Sequence, residues 1–302
     1  MSNEKFLISV IVPTYNRSKG LEHTIRSLMD QDTDKSDFEL VVADDGSSDD
    51  TLEVVKRYEG KMSVAYGYQP DRGYRPASAR NMGIRLAKGR ICLFIDSGIV
   101  LKRDCLRKHI EYHRKYDKEI AIVGYTYGYT QHGATEDELS SLIDFNDADR
   151  SIRLLRERNK FLDIRDKIYR KYNDRLHEMP SSWTLFWGGH LSVPVKTLNR
   201  VGGFDENFDG NWGCEDNDLG YRLLQNNVEI CLCRDAQVLH LPHGTNMESK
   251  AGEGYANCRY FHSKYRTPET SIFLSYYLKE ITGSEVIDFN ELFVKAAEPT
   301  TV

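Results

Sequence analysis

The first hundred residues switch repeatedly between two hydrophobic periods, and that alternation confines the chain to one architectural class. The runs "FLISVIVP" from Phe6, "FELVVAD" from Phe38, "MSVAYGYQ" from Met62 and "RICLFID" from Arg90 are short, apolar and rich in β-branched and aromatic residues, as strands are. Between them, "KGLEHTIRSLMDQ" repeats apolar residues at the helical spacing Leu21, Ile25, Leu28, and "DTLEVVKRYEG" and "PASARNMGIRLAKG" complete the alternation. Ser48 or a neighbouring Asp is positioned to cap the second helix. Strands alternating with helices predict parallel pairing in an α/β sheet with helices on both faces, and such sheets bind ligands in the loops beyond their strand ends. Those loops are "PTYNR", "DDGSSDD" and "DSG".

A chain of 302 residues, 40% hydrophobic and 29% charged, can bury a substantial core. Its formal net charge of -5 argues against nucleic acid as the main partner and leaves room for a local basic site that binds a small anion. The first residues lack the basic start and apolar core of a signal peptide, and no run reaches the ~18 apolar residues of a membrane span. The expectation is a cytoplasmic protein with no transmembrane segment. Cys231 and Cys233 form only a CxC in an apolar stretch, which reads as packed, reduced thiols.

From Glu136 to Glu178 the chain is highly charged and nearly free of Gly and Pro, with the helical pattern "DRSIRLLRERNKFLDIRDKIYRKY". It reads either as an amphipathic helix pair with a solvated face or as a lid over the acceptor whose arginines face an anion. From Thr267 onward the chain reads as a peripheral helical tail.

Four places carry chemistry. Asp96 emerges from a buried strand, where a charge needs a metal, a ligand or a hydrogen-bond donor. Asp44 and Asp45 sit at another strand end before a Gly turn, where one serves the turn and the other a ribose hydroxyl or base nitrogen. In "NWGCEDNDLGYRLL", Glu215, Asp216 and Asp218 crowd the first turn of a helix, behind Trp212 and Gly213. One helix end cannot satisfy three carboxylates cheaply, so a pocket-facing one is a candidate general base. His240 and His243, in "VLHLPHG", are either metal ligands or ordinary loop residues.

Together, "SVIVPTYNR", "VVADDGSSDDT", "ARNMGIRLAKGRICLFID" and "GGHLSVPVKTLNRVGGFDENFDGNWGCEDNDLGYRL" resemble the family 2 glycosyltransferases of the GT-A fold. The last block is similar to a region shared by chondroitin-polymerase and β-1,4-galactosyltransferase-type enzymes. The resemblance spans about residues 5 to 245. It implies a Rossmann-like GT-A domain over 1–266, with a nucleotide-sugar-binding half (1–130) and an acceptor and catalytic half (181–266); the charged helical insertion (131–180), the helical tail (267–302) and the identity of the sugars lie outside the resemblance.

The resemblance also implies a hexosyl- or N-acetylhexosaminyltransferase that moves a sugar with inversion from a UDP-sugar to a hydroxyl of a carbohydrate or glycoconjugate. The backbone around Pro13 and Tyr15 would hold the base and Asp45 the uracil. Arg80 would lie near the nucleotide, and Asp96 at the ribose or metal. Gly188 and Gly189 would admit the donor sugar, Trp212 would wall the acceptor pocket, Asp216 would be the base and Glu215 its sugar-binding neighbour. His240 or His243 would be the late metal ligand, and His190 departs from the small polar residue common after the glycine pair. A peptide or small natural product is the alternative acceptor.

The leaving diphosphate needs positive charge. Members of the family usually carry DxD at the strand end, but here Asp96 is followed by Ser97 and Gly98, so the third acid is missing. Three expectations follow. Asp96 and a late histidine hold Mn²⁺ or Mg²⁺ with diphosphate oxygens and waters completing the shell; or Arg72, Arg75 or Arg80 replaces the metal; or the chain is a non-catalytic nucleotide-sugar-binding subunit.

Overall fold

The computed structural model describes residues 5–129, 136–242, 247–282 and 286–297. The predicted alternation is present. Strands β1 (Phe6–Thr14), β2 (Phe38–Asp44), β3 (Val64–Tyr68) and β4 (Gly89–Ile95) are joined by helices α1 (Ser18–Met29), α2 (Thr51–Lys56) and α3 (Pro76–Leu86). All four pair in parallel, in the order β3-β2-β1-β4. Every residue of β2 is buried, as expected for a strand covered on both faces. Alternate side chains feed two cores: Ile11, Val41 and Phe94 enter one, Val10, Leu40 and Leu93 the other.

Beyond β4 the pairing is mixed. The remaining elements are β5 (Ile99–Leu101), α4 (Cys105–Lys115), β6 (Ile120–Tyr127), α5 (Glu136–Leu142), α6 (Ala148–Glu157), α7 (Asp166–Lys171), β7 (His190–Pro194), α8 (Val195–Val201), α9 (Glu215–Gln225), β8 (Glu229–His240), α10 (Met247–Tyr265), α11 (Pro268–Thr282) and α12 (Phe289–Ala297). They complete the eight-stranded order β3-β2-β1-β4-β7-β6-β8-β5. β7 is antiparallel to both β4 and β6, and β5 is antiparallel to β8. The cause is the insertion. It leaves β6 at the rim where β4 ends, so the chain re-enters the sheet from that rim and brings Gly188 and Gly189 beside Asp96.

Two expectations need correction. The insertion is three short helices, not a helix pair, because Asn159 and Phe161 turn left-handed (φ 51° and 50°) and interrupt the periodic pattern. Its charges are also not all solvated. Arg165 is buried at 2% exposure, donates to both Asp163 carboxylate oxygens at 2.8 Å and to the Leu185 carbonyl at 2.9 Å, while Asp163 accepts the Thr126 N–H at 3.0 Å. That brace ties the insertion to β6. The tail, in turn, is not peripheral: Phe273, Tyr277, Phe289 and Phe293 are buried, and Trp183 packs its ring 4.9 Å from that of Phe273. No helix among the described residues is long and apolar enough to cross a membrane.

Candidate active site

α3 starts with Pro at its first position, which suits the fixed φ of proline, and its exposed N–H groups are capped from afar. Asp209 accepts the N–H groups of Ala77 and Ser78 at 3.0 and 3.1 Å. This bond between the two halves of the domain sets the direction of Arg80, one turn further on. The guanidinium is buried and reaches Glu215 Oε1 at 2.9 Å and Asp96 Oδ1 at 3.1 Å. Planar, permanently charged and forked, it bridges an acid at a strand end to an acid at the start of α9.

This packing leaves little room for a side chain at either glycine. A Cβ on Gly188 would fall 2.8 Å from an Arg80 Nη, and one on Gly189 would fall 3.2 Å from Asp96 Oδ2. With no side chain, the Gly188 N–H donates to Asp216 Oδ2 at 2.6 Å. Asp216 is partly buried; its other oxygen takes the Asn217 N–H at 2.8 Å. Burial first, and then the charge of Glu215, push its carboxyl up to about 7, against the pull of Gly188, Arg80 and Asn217. A partly buried carboxylate poised near neutrality fits a general base.

The three acids of α9 thus divide their work. Asp218 is fully buried and holds Arg222, Lys264 and the Tyr265 hydroxyl at 2.7–2.8 Å, so it is a structural anchor. None of the three is the N-cap, which is Cys214 at φ 70°. The preceding loop is fixed by Asn257, whose amide donates to the carbonyls of Phe208, Asn211 and Gly213 at 2.8–3.0 Å. Trp212 lies on that loop, with Lys250 over its ring at 5.6 Å.

At the other end of the rim, Asp44 accepts the N–H groups of Gly46 and Ser47 and the Tyr66 hydroxyl, so it serves the turn. Asp45 accepts from Gln69 at 2.6 Å and pairs with Arg75 at 2.7 Å, while its own N–H donates to the Thr14 carbonyl at 2.9 Å. It therefore sits one residue from both Pro13 and Tyr15 across the β1–β2 pair; the Tyr15 hydroxyl donates to Asp71 at 2.9 Å. Of the three expected arginines, only Arg80 joins Asp96: Arg75 is committed to Asp45 and Arg72 is exposed.

Sequence reasoning missed four neighbours of this rim. Arg17 and Lys250 both lie within the field of Asp96, and burial holds both below their usual values. Tyr74 lies within reach of Glu215, Arg80, Asp96 and Asp216, and Tyr129 within reach of Asp96 and Asp216. Nothing in their local sequence marks them, because only the fold brings them to the rim. His240 pairs with Ile99 beside the Asp96 turn and stacks on Tyr129, with ring centres 5.1 Å apart. His243 lies outside the described residues. His190 is turned into the core at 2% exposure, so it does not face the donor.

A parallel half, a reversed strand led in by two glycines and an acid-bearing helix at the same rim define a GT-A glycosyltransferase fold. Residues 9–174 match the glycosyl transferase family 2 profile, and the chain belongs to that family. Residues 173–244 match a second profile, described as the N-terminal domain of galactosyltransferase. In sequence, the chain is 34% identical over 278 residues to a validoxylamine A glucosyltransferase of Streptomyces hygroscopicus subsp. jinggangensis, covering 92% of this chain and 65% of that protein. It is 30% identical over 258 residues to a chondroitin synthase of Escherichia coli, covering 82% of this chain and 36% of that one. The chain thus spans less than two thirds of the length of either relative. In structure, S. aureus TarS 1-349 in complex with UDP-GlcNAc superimposes with a TM-score of 0.64 at 19% identity, over 92% of this chain and 74% of that one.

Proposed function

We propose that the chain transfers a hexosyl or N-acetylhexosaminyl group from a UDP-sugar to an acceptor hydroxyl with inversion, and that Asp216 is the general base. The observation that carries this reading is the single cluster Asp96–Arg80–Glu215–Asp216, closed by the Gly188 N–H. The acceptor oxygen attacks the anomeric carbon from the face opposite the diphosphate, its proton passes to Asp216, and the bond from the anomeric carbon to the diphosphate oxygen breaks to release UDP. Glu215 orients sugar hydroxyls while Arg80 holds it in place. Gly188 and Gly189 give the donor sugar room, and Trp212 walls the acceptor side. Pro13, Tyr15 and Asp45 are the nucleoside-binding residues of this reading.

The donors at the rim fit Mn²⁺ or Mg²⁺. Asp96, with its side chain 45% exposed, offers carboxylate oxygen, and His240 lies beside the same turn. Asp96 and His240 would hold such a cation, which would supply positive charge opposite the departing diphosphate. A second reading has its own observation: Arg17, Arg80 and Lys250 converge on Asp96, which is fixed positive charge without a metal.

The acceptor panel begins with carbohydrates and glycoconjugates and extends to small hydroxylated natural products, given the names of the two relatives. Cytoplasmic residence is supported by six buried, free cysteines. The test is calorimetric titration with UDP, with and without Mn²⁺ or chelator, with GDP as control, followed by a UDP-sugar panel read as UDP release. UDP binding that far exceeds GDP binding is expected. Equal binding of the two nucleotides, or no turnover with any UDP-sugar, contradicts the proposal.

A further inference from the structure

A second cluster of ligand-type side chains lies in the core, away from the rim. α4 carries Cys105, His109 and His113 at intervals of four, so all three share one face of the helix. That face packs against β7, where His190 and Ser192 point the same way. The His109 and His190 Nε2 atoms are 2.9 Å apart, and Cys105 Sγ is 3.7 Å from His190 Nε2. Cys105 and His109 are completely buried and His190 nearly so, and one ligand atom from each of the three lies within 4.8 Å of the others. Among the described residues, no other three His, Cys, Asp or Glu side chains come together this closely.

Hydrogen bonding satisfies this arrangement except at one buried nitrogen. His109 Nδ1 and His113 Nε2 both meet Ser192 Oγ, at 2.9 and 2.8 Å. A consistent assignment has the His109 Nδ1–H donate to Ser192 and the Ser192 hydroxyl donate to His113. His109 Nε2 then accepts the His190 Nε2–H at 2.9 Å, with the Cys105 thiol 3.7 Å from the same His190 nitrogen. His190 Nδ1, meanwhile, has no partner at all. The neighbouring strand makes room for this ring with a glycine: a Cβ on Gly124 would fall 2.0 Å from His190 Cε1. A second imidazole and a thiol have been brought into a dry core at the cost of an orphaned nitrogen.

We propose that Cys105, His109 and His190 hold a zinc ion between α4 and β7. The donor set is nitrogen and sulfur, which suits zinc and not the oxygen-seeking Mg²⁺ or Mn²⁺ expected at the rim. With zinc bonds of about 2.0 Å to nitrogen and 2.3 Å to sulfur, tetrahedral ligands stand about 3.3 Å (N to N) and 3.5 Å (N to S) apart. The sulfur is already at that spacing, and the two imidazoles need to separate by only a few tenths of an ångström. Ser192 supplies the outer hydrogen bond that fixes the His109 tautomer. Since His190 directly follows Gly189, the ion would clamp the start of β7 and, through it, the glycine pair at the rim.

The test is metal analysis of the full chain after extensive desalting, paired with cobalt substitution. One tightly held zinc per chain is expected, lost in Cys105→Ser and retained in Cys231→Ser, whose thiol is also buried but lies outside the cluster. Refolding the wild-type chain with Co²⁺ should give the intense visible bands of a tetrahedral site and a thiolate-to-cobalt charge-transfer band. The cobalt spectrum needs no variant, so it decides the matter if Cys105→Ser fails to fold. Protein that carries no zinc and shows no charge-transfer band overturns the proposal, as does zinc that survives Cys105→Ser. Neither readout depends on the transferase reaction.

Discussion

Arg80 is the residue on which both halves of the site depend, and replacing it with Met isolates what it does. The side chain of Arg80 is 6% exposed and that of Glu215 7%, whereas Asp96 is 45% exposed. Losing the partner of a buried charge costs about 3–5 kcal/mol, while the exposed Asp96 end adds little. Arg80→Met should therefore destabilise by about 3–4 kcal/mol at pH 8, nearly all of it through Glu215. Without the guanidinium, Glu215 is a buried carboxylate with no cation beside it, and urea unfolding at pH 8 reads that penalty directly. Adding Glu215→Gln to Arg80→Met should return the protein to within about 1–2 kcal/mol of wild type, because the stranded charge is gone. A loss under about 1 kcal/mol for Arg80→Met, or no recovery in the double variant, refutes the reasoning.

Three further outcomes follow from the same geometry. With Asp216 raised to about 7, turnover should climb with pH through that value as the base loses its proton, and a profile already flat from pH 5 would contradict it. Gly188→Ala puts a methyl 2.8 Å from Arg80, so turnover should fall at least about tenfold with nucleotide binding weakened, checked by UDP release and calorimetry. Arg165→Met strands the fully buried Asp163 and should destabilise by about 3–5 kcal/mol in urea without a change in the pH profile of the remaining activity.

The parallel half of the sheet was legible because each strand is a continuous apolar run and each helix an amphipathic one, and the two periods do not overlap. Asp45, Asp96, Glu215 and Asp216 were legible because each is a charge at the end of such an element. What stayed hidden depends on distance in sequence. Nothing near Arg80 says that Asp209, more than a hundred residues away, caps its helix. The direction of β7 follows from where the insertion leaves the sheet, which a local pattern does not encode. In the sequence the insertion's charges read as a solvated face or as arginines facing an anion, because Arg165 and Asp163 look like any surface pair until they are seen to bridge Thr126 and Leu185. The tail was read as peripheral although its aromatics are spaced to cover Trp183. The four-residue spacing of Cys105, His109 and His113 was present in the sequence, and a search for ligand types along one helix face would have found it.

The measurement that bears most directly on the account compares Asp216→Asn with wild type in UDP binding, thermal stability and turnover. Since burial raises the folded-state pKa of Asp216, its ionisation opposes folding above the unfolded value, and removing the charge should raise Tm at pH 8 by about 2–4 °C, with the gain shrinking toward pH 4. UDP affinity should be unchanged while turnover drops by about 10²–10⁴. A folded, nucleotide-binding, stabilised and inactive protein is the predicted result. Turnover equal to wild type would remove Asp216 from the chemistry, and a wild-type chain that binds UDP but turns over no donor would make it a binding subunit.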